Sequence, residues 1–301
     1  MKDLAPNGIE LGNGAPPGID DQTVARFTHF DKLPPHARVG LAEDLTLALD
    51  AHFIGCTQER LRDIRKQHAE TVALTALQLL ERAEFRELVA ALPFRSGDRI
   101  VVVGDSITAD SLSWAHILGA VLRQSGRDEV TLINLAISGG TTGELVAMFD
   151  LVTRARPAWV LQMIGTNDVR QHGATAGVRA VSFEETRRNL YSLERLTRRE
   201  TKARLVPITP PPANQAMFDA FMPADTDTRW LPGDVDSIIE LTRNCLPTAI
   251  DLDARLPRQV HRSFWIADGL HPSLEGHQAI LWCIVQGIVE SQPGTFTAGP
   301  P

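Results

Sequence analysis

The chain has 301 residues, 43% of them hydrophobic and 22% charged, enough for one large folded domain or one domain with an extension. Lys and Arg number 30 against 37 Asp and Glu, a net charge of -7, so neither nucleic acid nor an anionic membrane is an expected partner. No stretch reaches the roughly 18 apolar residues that span a bilayer.

Residues 1–18 are polar and rich in Gly and Pro, with no apolar h-region, so a signal peptide is not expected. Residues 1–40 are read as a flexible segment, most clearly up to about residue 20. Residues 41–95 read as a helical extension. Thr57, Gln58 and Glu59 offer an N-cap and an acidic first turn, and Leu61, Ile64, His68, Val72, Ala76, Leu79 and Leu80 then recur at near-helical spacing. A second short helix is expected over 84–92, before Pro93. No chemistry is visible in this extension, which is expected to pack on the core or to form a dimer contact.

Residues 96–293 carry alternating strands and helices, followed by a flexible tail over 294–301. Residues 100–103 are a short, wholly apolar, β-branched run, as expected of a strand buried on both faces. Similar runs fall at 130–135, 159–164, 205–208 and 249–252, separated by helical patterns at 111–124, 144–155, 183–199 and 237–243. A closing helix fits 273–290, with Pro272 at its first turn and Pro293 beyond its end. Five strands alternating with helices predict an α/β fold around a parallel sheet, with ligands at the carboxyl ends of its strands. The odd set of Cys56, Cys245 and Cys283 has no metal-like spacing and reads as buried thiols in a reducing compartment, so the expected location is the cytoplasm.

Short polar blocks sit where such a sheet would place a site. Gly104-Asp105-Ser106 follows the first strand run directly, so Ser106 would lie at a helix start, where backbone N–H groups favour developing negative charge. Asp105, its sequence neighbour, is expected to hold the turn rather than to move protons. Among nine histidines only His271 is packaged as Asp-x-x-His-Pro before a helix. Asp268, three residues earlier, can reach its Nδ1 in one tight turn, fix the tautomer and leave Nε2 for a serine. His277 is expected to be a surface or packing residue, and His172 a solvated loop residue. Gly139, within Ser138-Gly139-Gly140, and Asn167, within Gly165-Thr166-Asn167-Asp168, could join the Ser106 N–H as donors to an oxyanion. Gly-x-Ser-x-Gly is absent, and the glycine-rich run at 138–143 lacks the lysine of a phosphate loop.

The four blocks, in this order over about residues 98–290, resemble the SGNH subfamily of the GDSL esterases and lipases. The resemblance implies a three-layer α/β/α sandwich with a five-stranded parallel sheet, the flavodoxin-like SGNH fold, to which the N-terminal helical extension is added. It also implies a serine esterase that needs no metal or cofactor and works through an acyl-enzyme. Ser106 would be nucleophile, His271 base and Asp268 its orienter, with an oxyanion hole of the Ser106 N–H, the Gly139 N–H and the Asn167 side chain. Thr166 stands where the family often has Gly, and Gly140 where some members carry Asp. The expected substrate is a small-molecule carboxylic ester, with short acyl or O-acetyl groups preferred because no long apolar lid-like helix is visible. A thioesterase or acyltransferase using the same residues remains open, as does a non-catalytic binding or assembly module. Met217, Phe218, Phe221, Met222 and Trp230 could line an acyl site or pack their loop onto the core.

Overall fold

The computed structural model describes residues 20–173, 177–222, 227–257 and 260–292. The flexible segment expected over 1–40 is helical where it is described; residues 1–19, like the tail 294–301, lie outside the described residues. Helix α1 (Asp21–Phe27) is capped by the Asp20 carboxylate, which accepts from Thr23 N at 2.8 Å. A 3₁₀ turn (Phe30–Lys32) leads to α2 (Pro34–Val39), α3 (Glu43–Ile54), α4 (Gln58–Glu81) and α5 (Ala83–Ala90). Thr57 caps α4 as its sequence suggests, accepting from Arg60 N at 3.1 Å.

The α/β part then runs β1 (Arg99–Gly104), α6 (Ser106–Ala109), α7 (Trp114–Gln124), β2 (Thr131–Asn134), α8 (Thr142–Ala147), α9 (Phe149–Ala155) and β3 (Trp159–Met163). After it come β4 (Gln171–His172), β5 (Val178–Arg179), α10 (Phe183–Glu200), β6 (Arg204–Ile208), α11 (Gln215–Phe221), β7 (Thr228–Arg229), α12 (Asp234–Cys245), α13 (Leu252–Arg255) and α14 (Leu274–Glu290). The main sheet is parallel, in the order β2-β1-β3-β6. The three short strands form a separate antiparallel sheet, β5-β4-β7.

The main sheet therefore has four strands, not the five expected. Residues 249–252 meet β6 through one parallel bridge, Ile208 to Ile250. Ile250 N donates to Pro207 O at 2.9 Å, and Thr209 N donates to Ile250 O at 3.0 Å. The ladder stops there because the Thr209 hydroxyl takes the next N–H, that of Leu252, at 2.9 Å, while the Asp251 carboxylate caps α13. Side chains satisfy donors that a further strand would have needed, and the run turns into a helix.

Strand alternation sends β1 and β3 side chains to two faces. Ile100, Val102, Leu161 and Met163 join one core with α7 and α14, and Val101, Val103 and Val160 join another with Leu145, Phe149, Leu190 and Ile238. Helices thus cover both faces, which explains why the strand runs read as wholly apolar. The extension is part of this body: Val72, Ala76 and Leu79 of α4 and Phe85 and Val89 of α5 are buried in the first core. At about 1.5–3 kcal/mol for each large apolar side chain fully removed from water, these contacts hold α4 and α5 firmly against the sheet. A smaller cluster of Ala25, Leu47, Ala51, Ile54, Leu61 and Ile64 ties α1 and α3 to α4. Among the described residues no helix is long and apolar enough to cross a membrane.

Candidate active site

Ser106 opens α6 immediately beyond the carboxyl end of β1. Asp105 caps that turn, with its carboxylate accepting from Ile107 N at 3.0 Å. It is buried, and burial pushes its pKa up to about 6 against the pull of that hydrogen bond. Its side chain does the structural work expected of it.

The loop before α14 is built around Asp268. One carboxylate oxygen accepts from Leu270 N and His271 N, both at 2.9 Å, and the other lies 2.6 Å from His271 Nδ1. His271 Nε2 in turn lies 2.7 Å from Ser106 Oγ. Burial alone would lower the His271 pKa, but the charge and hydrogen bond of Asp268, with Asp110 and Asp105 behind it, outweigh this and raise it. Asp268 is held below its usual range: burial acts upward, and the His271 charge and hydrogen bond overcome it. An ionised Asp268 leaves Nδ1 as the protonated nitrogen, so Nε2 is the acceptor facing the serine hydroxyl.

Gly139 lies on the loop after β2, with φ of 77° in the left-handed region that favours glycine. That loop is tied to the end of β1 by Ile137 N donating to Gly104 O at 3.1 Å. Asn167, on the loop after β3, donates from Nδ2 to Gly140 O at 3.1 Å, which fixes its amide. The neighbouring Asp168 is fully buried and accepts from Thr142 N and Thr186 Oγ1, each at 2.8 Å, so one carboxylate joins three segments beneath the site. Ser106, Gly139, Asn167, Asp268 and His271 all line one cleft of about 600 Å³.

Several residues around this cleft escaped the sequence reading. Helices α1, from the segment expected to be flexible, and α3 supply a wall: Val24, Phe27 and Phe53 line the cleft, and the Phe27 ring lies 4.6 Å from the His271 ring. Ser138 Oγ donates to Phe27 O at 2.7 Å, joining this wall to the Gly139 loop. Beside it, Arg26 forks onto Asp110, with Nε 3.0 Å from Oδ1, and donates from Nη2 to Pro272 O at 3.1 Å. His277 also meets Asp110, its Nε2 3.2 Å from Oδ2, and is fully buried. It is a packing residue as one alternative allowed, but a polar one inside a hydrogen-bonded network. Burial favours a raised pKa at Asp110, yet the hydrogen bonds and charges of His277 and Arg26 drive it strongly down. No local pattern could have joined residues 26, 110 and 277, and the family signature does not include the first.

His172 is exposed at the end of β4 and accepts from Arg170 Nε at 3.2 Å; Arg170, not His172, lines the cleft. The aromatic residues of the loop after β6 divide between the two uses considered for them. Phe221 and Trp230 line the cleft, with Trp230 Nε1 donating to Thr166 O at 2.7 Å, while Phe218 is buried with Val235, Ile239 and Leu270. Gly269, between Asp268 and His271, has φ of 68°, and a Cβ there would stand 2.5 Å from Asn214 O. Gly269→Ala is therefore expected to lower the melting temperature and to weaken ester turnover together, since the loop must move to relieve the contact. A variant with unchanged melting and turnover would refute this.

A family model described as the GDSL-like lipase/acylhydrolase family matches residues 102–279, more than half of the chain. The chain belongs to that family. It is an ester-hydrolysing serine hydrolase, and the matched region begins within β1, so the wall formed by α1 and α3 lies outside it. No curated protein matches the chain in sequence. Among solved structures, LAE5, an alpha/beta hydrolase enzyme from the metagenome of Lake Arreo, is 22% identical with a TM-score of 0.51, covering 65% of this chain and 96% of its own. A protein of Parabacteroides merdae described as a GDSL-like lipase is 21% identical with a TM-score of 0.50, covering 65% of this chain and 99% of its own. An acetyl xylan esterase is 21% identical with a TM-score of 0.47, covering 62% and 96%. The likeness to LAE5 and to the Parabacteroides merdae protein is one of fold.

Proposed function

We propose that this GDSL-family hydrolase cleaves carboxylic esters of small molecules, short acyl and O-acetyl groups among them, through an acyl-enzyme on Ser106. The observation that carries the reading is the unbroken hydrogen-bonded series from Ser106 Oγ to His271 Nε2, 2.7 Å, and from His271 Nδ1 to Asp268 Oδ2, 2.6 Å, in a cleft. Ser106 Oγ attacks the ester carbonyl carbon while its proton passes to His271 Nε2. Asp268 stabilises the resulting imidazolium. The carbonyl oxygen, now negative, is met by the Ser106 N–H, the Gly139 N–H and the Asn167 amide, whose second N–H is left over from its bond to Gly140 O. Collapse expels the alcohol, which takes its proton from His271. Water, deprotonated by the same imidazole, then releases the acid and restores Ser106.

A cleft of about 600 Å³ falls in the range of about 300–1,000 Å³ typical of sites that enclose a small ligand. Val24, Phe27, Phe53, Phe221, Trp230 and Ile266 give it apolar sides, while Arg170 adds one cation. Because the first three come from α1 and α3, the enzyme unit in this reading begins at α1 rather than at residue 96. The test is hydrolysis of a p-nitrophenyl ester series, acetyl through long-chain. Acetyl or butyryl esters should turn over fastest, and a long-chain optimum would overturn the preference.

Asn167→Ala should lower kcat by about 10²–10³-fold with a smaller change in KM, because its amide acts mainly on the charge of the transition state. Equal loss in kcat/KM from a pure KM effect would remove Asn167 from the oxyanion hole. The acid limb of the pH profile follows from His271. The base must be neutral, and its pKa is raised above the usual 6.5, so kcat/KM should already be falling as pH drops through a midpoint above 6.5. A profile flat from pH 8 to 5.5 would eliminate His271 as the base.

A further inference from the structure

A second cavity, of about 690 Å³, is lined by the 3₁₀ turn, α4 and α7. Its lining includes Lys32, His68 and His116. Lys32 Nζ, His68 Nδ1 and His116 Nε2 are each shielded from solvent and have no hydrogen-bond partner among the described residues. Three unmatched polar atoms around one cavity are unusual, because buried donors are almost always paired. An unpaired ammonium is the most costly of them.

The charges around Lys32 do not settle it. Arg65, on the same wall, is paired with Asp50, which also accepts from Phe30 N at 2.9 Å. Asp110 acts on Lys32 only at a distance and is already engaged by Arg26 and His277. Asp31 acts most strongly of the charges on Lys32, but it and Glu43 are exposed at the mouth, where water and the exposed Arg123 screen them. Burial pushes the Lys32 amine down to about 8, so it still carries its proton at neutral pH, while burial holds His29 down to about 3 and His116 down to about 4 as neutral rings. The cavity thus presents a buried ammonium with no directly bonded partner among the described residues, with imidazole rings beside it.

We propose that this cavity binds a small carboxylate, whose single negative charge pairs with Lys32 while His68 and His116 donate to its oxygens. A monoanion matches one ammonium; a dianionic phosphate would leave a negative excess near Asp31 and Glu43. Val72, Ala115 and Leu132 in the lining take a short alkyl chain.

The test is calorimetric titration of the full chain with hexanoate, acetate and inorganic phosphate, with the histidine ring ¹H–¹⁵N signals followed in parallel. Hexanoate is expected to saturate at one per chain, more tightly than acetate or phosphate, and to move the His68 and His116 signals. Lys32→Met should weaken hexanoate at least tenfold and, by removing an unpaired buried charge, should not lower the melting temperature of the free protein. No saturable binding, tighter binding of phosphate, an affinity untouched by Lys32→Met, or shifts at His271 alone would each overturn the proposal. Should the variant not fold, the histidine shifts of the unaltered protein decide: movement at His68 and His116 supports the site, and none there refutes it.

Discussion

Ser106→Ala is expected to lower kcat for p-nitrophenyl acetate by about 10⁴–10⁶-fold, leaving binding of the ester nearly intact. The loss is large because the hydroxyl makes the bond that all later steps depend on. His271 can still polarise a water, but no atom then occupies the attacking position 2.7 Å from its Nε2. His271→Ala should cost about as much, and the double variant little more, since nucleophile and base act as one unit. Asp268→Asn is expected to cost about 10⁴-fold while keeping the fold, because the amide would impose the wrong tautomer on the imidazole. A fluorophosphonate should label the parent chain and leave Ser106→Ala unlabelled. Turnover that survives Ser106→Ala at more than about a tenth of the parent rate would end the acyl-enzyme reading.

Arg26→Ala is expected to destabilise the protein by about 3–5 kcal/mol and to reduce kcat as well. Asp110 is completely buried, and Arg26 is its main cationic partner. Removing the guanidinium leaves a carboxylate in the interior with only the His277 ring and the Leu112 N–H, 2.8 Å from Oδ1, as partners. Arg26 also holds Pro272 O, the carbonyl next to His271, so its loss loosens the base as well as the fold. Denaturant midpoints measure the first effect. The second is read at a temperature where the variant remains folded: kcat should fall more than KM rises, because a misplaced imidazole hurts proton transfer more than substrate binding. Arg26→Ala combined with Asp110→Asn should recover part of the stability, since no buried charge is then stranded. Full stability with Arg26→Ala alone would show that the fork contributes nothing net.

An ordinary histidine as the base would place the acid limb at about pH 6.5. The structure moves it upward because Asp268, Asp110 and Asp105 all raise the His271 pKa against its burial. Proximity of Asp268 was visible in the three-residue spacing; that of the other two was not.

Much of the core was legible because it is local. Residues 100–103 are apolar on both faces, and they form β1 between two helical layers. The four residues from Asp268 to His271 make a tight turn in sequence and in space, and Ser106, Gly139 and Asn167 follow strand ends as a parallel sheet requires. The fourth and fifth strand runs look alike as strings, yet only one extends the sheet. The difference lies in a hydroxyl at Thr209 and a carboxylate at Asp251 that take backbone donors for themselves.

Composition and short-range pattern were enough to specify a parallel sheet, though not its strand number, and the residues carried by the loops at its carboxyl end. They could say nothing of the wall that Val24, Phe27 and Phe53 place against those residues, nor of Arg26 reaching Asp110 across 84 positions and Pro272 across 246. Periodicity and spacing encode contacts made within a turn or along one face. A salt bridge between segments that far apart depends on how whole helices dock, and docking is settled by shape and burial summed over the entire core.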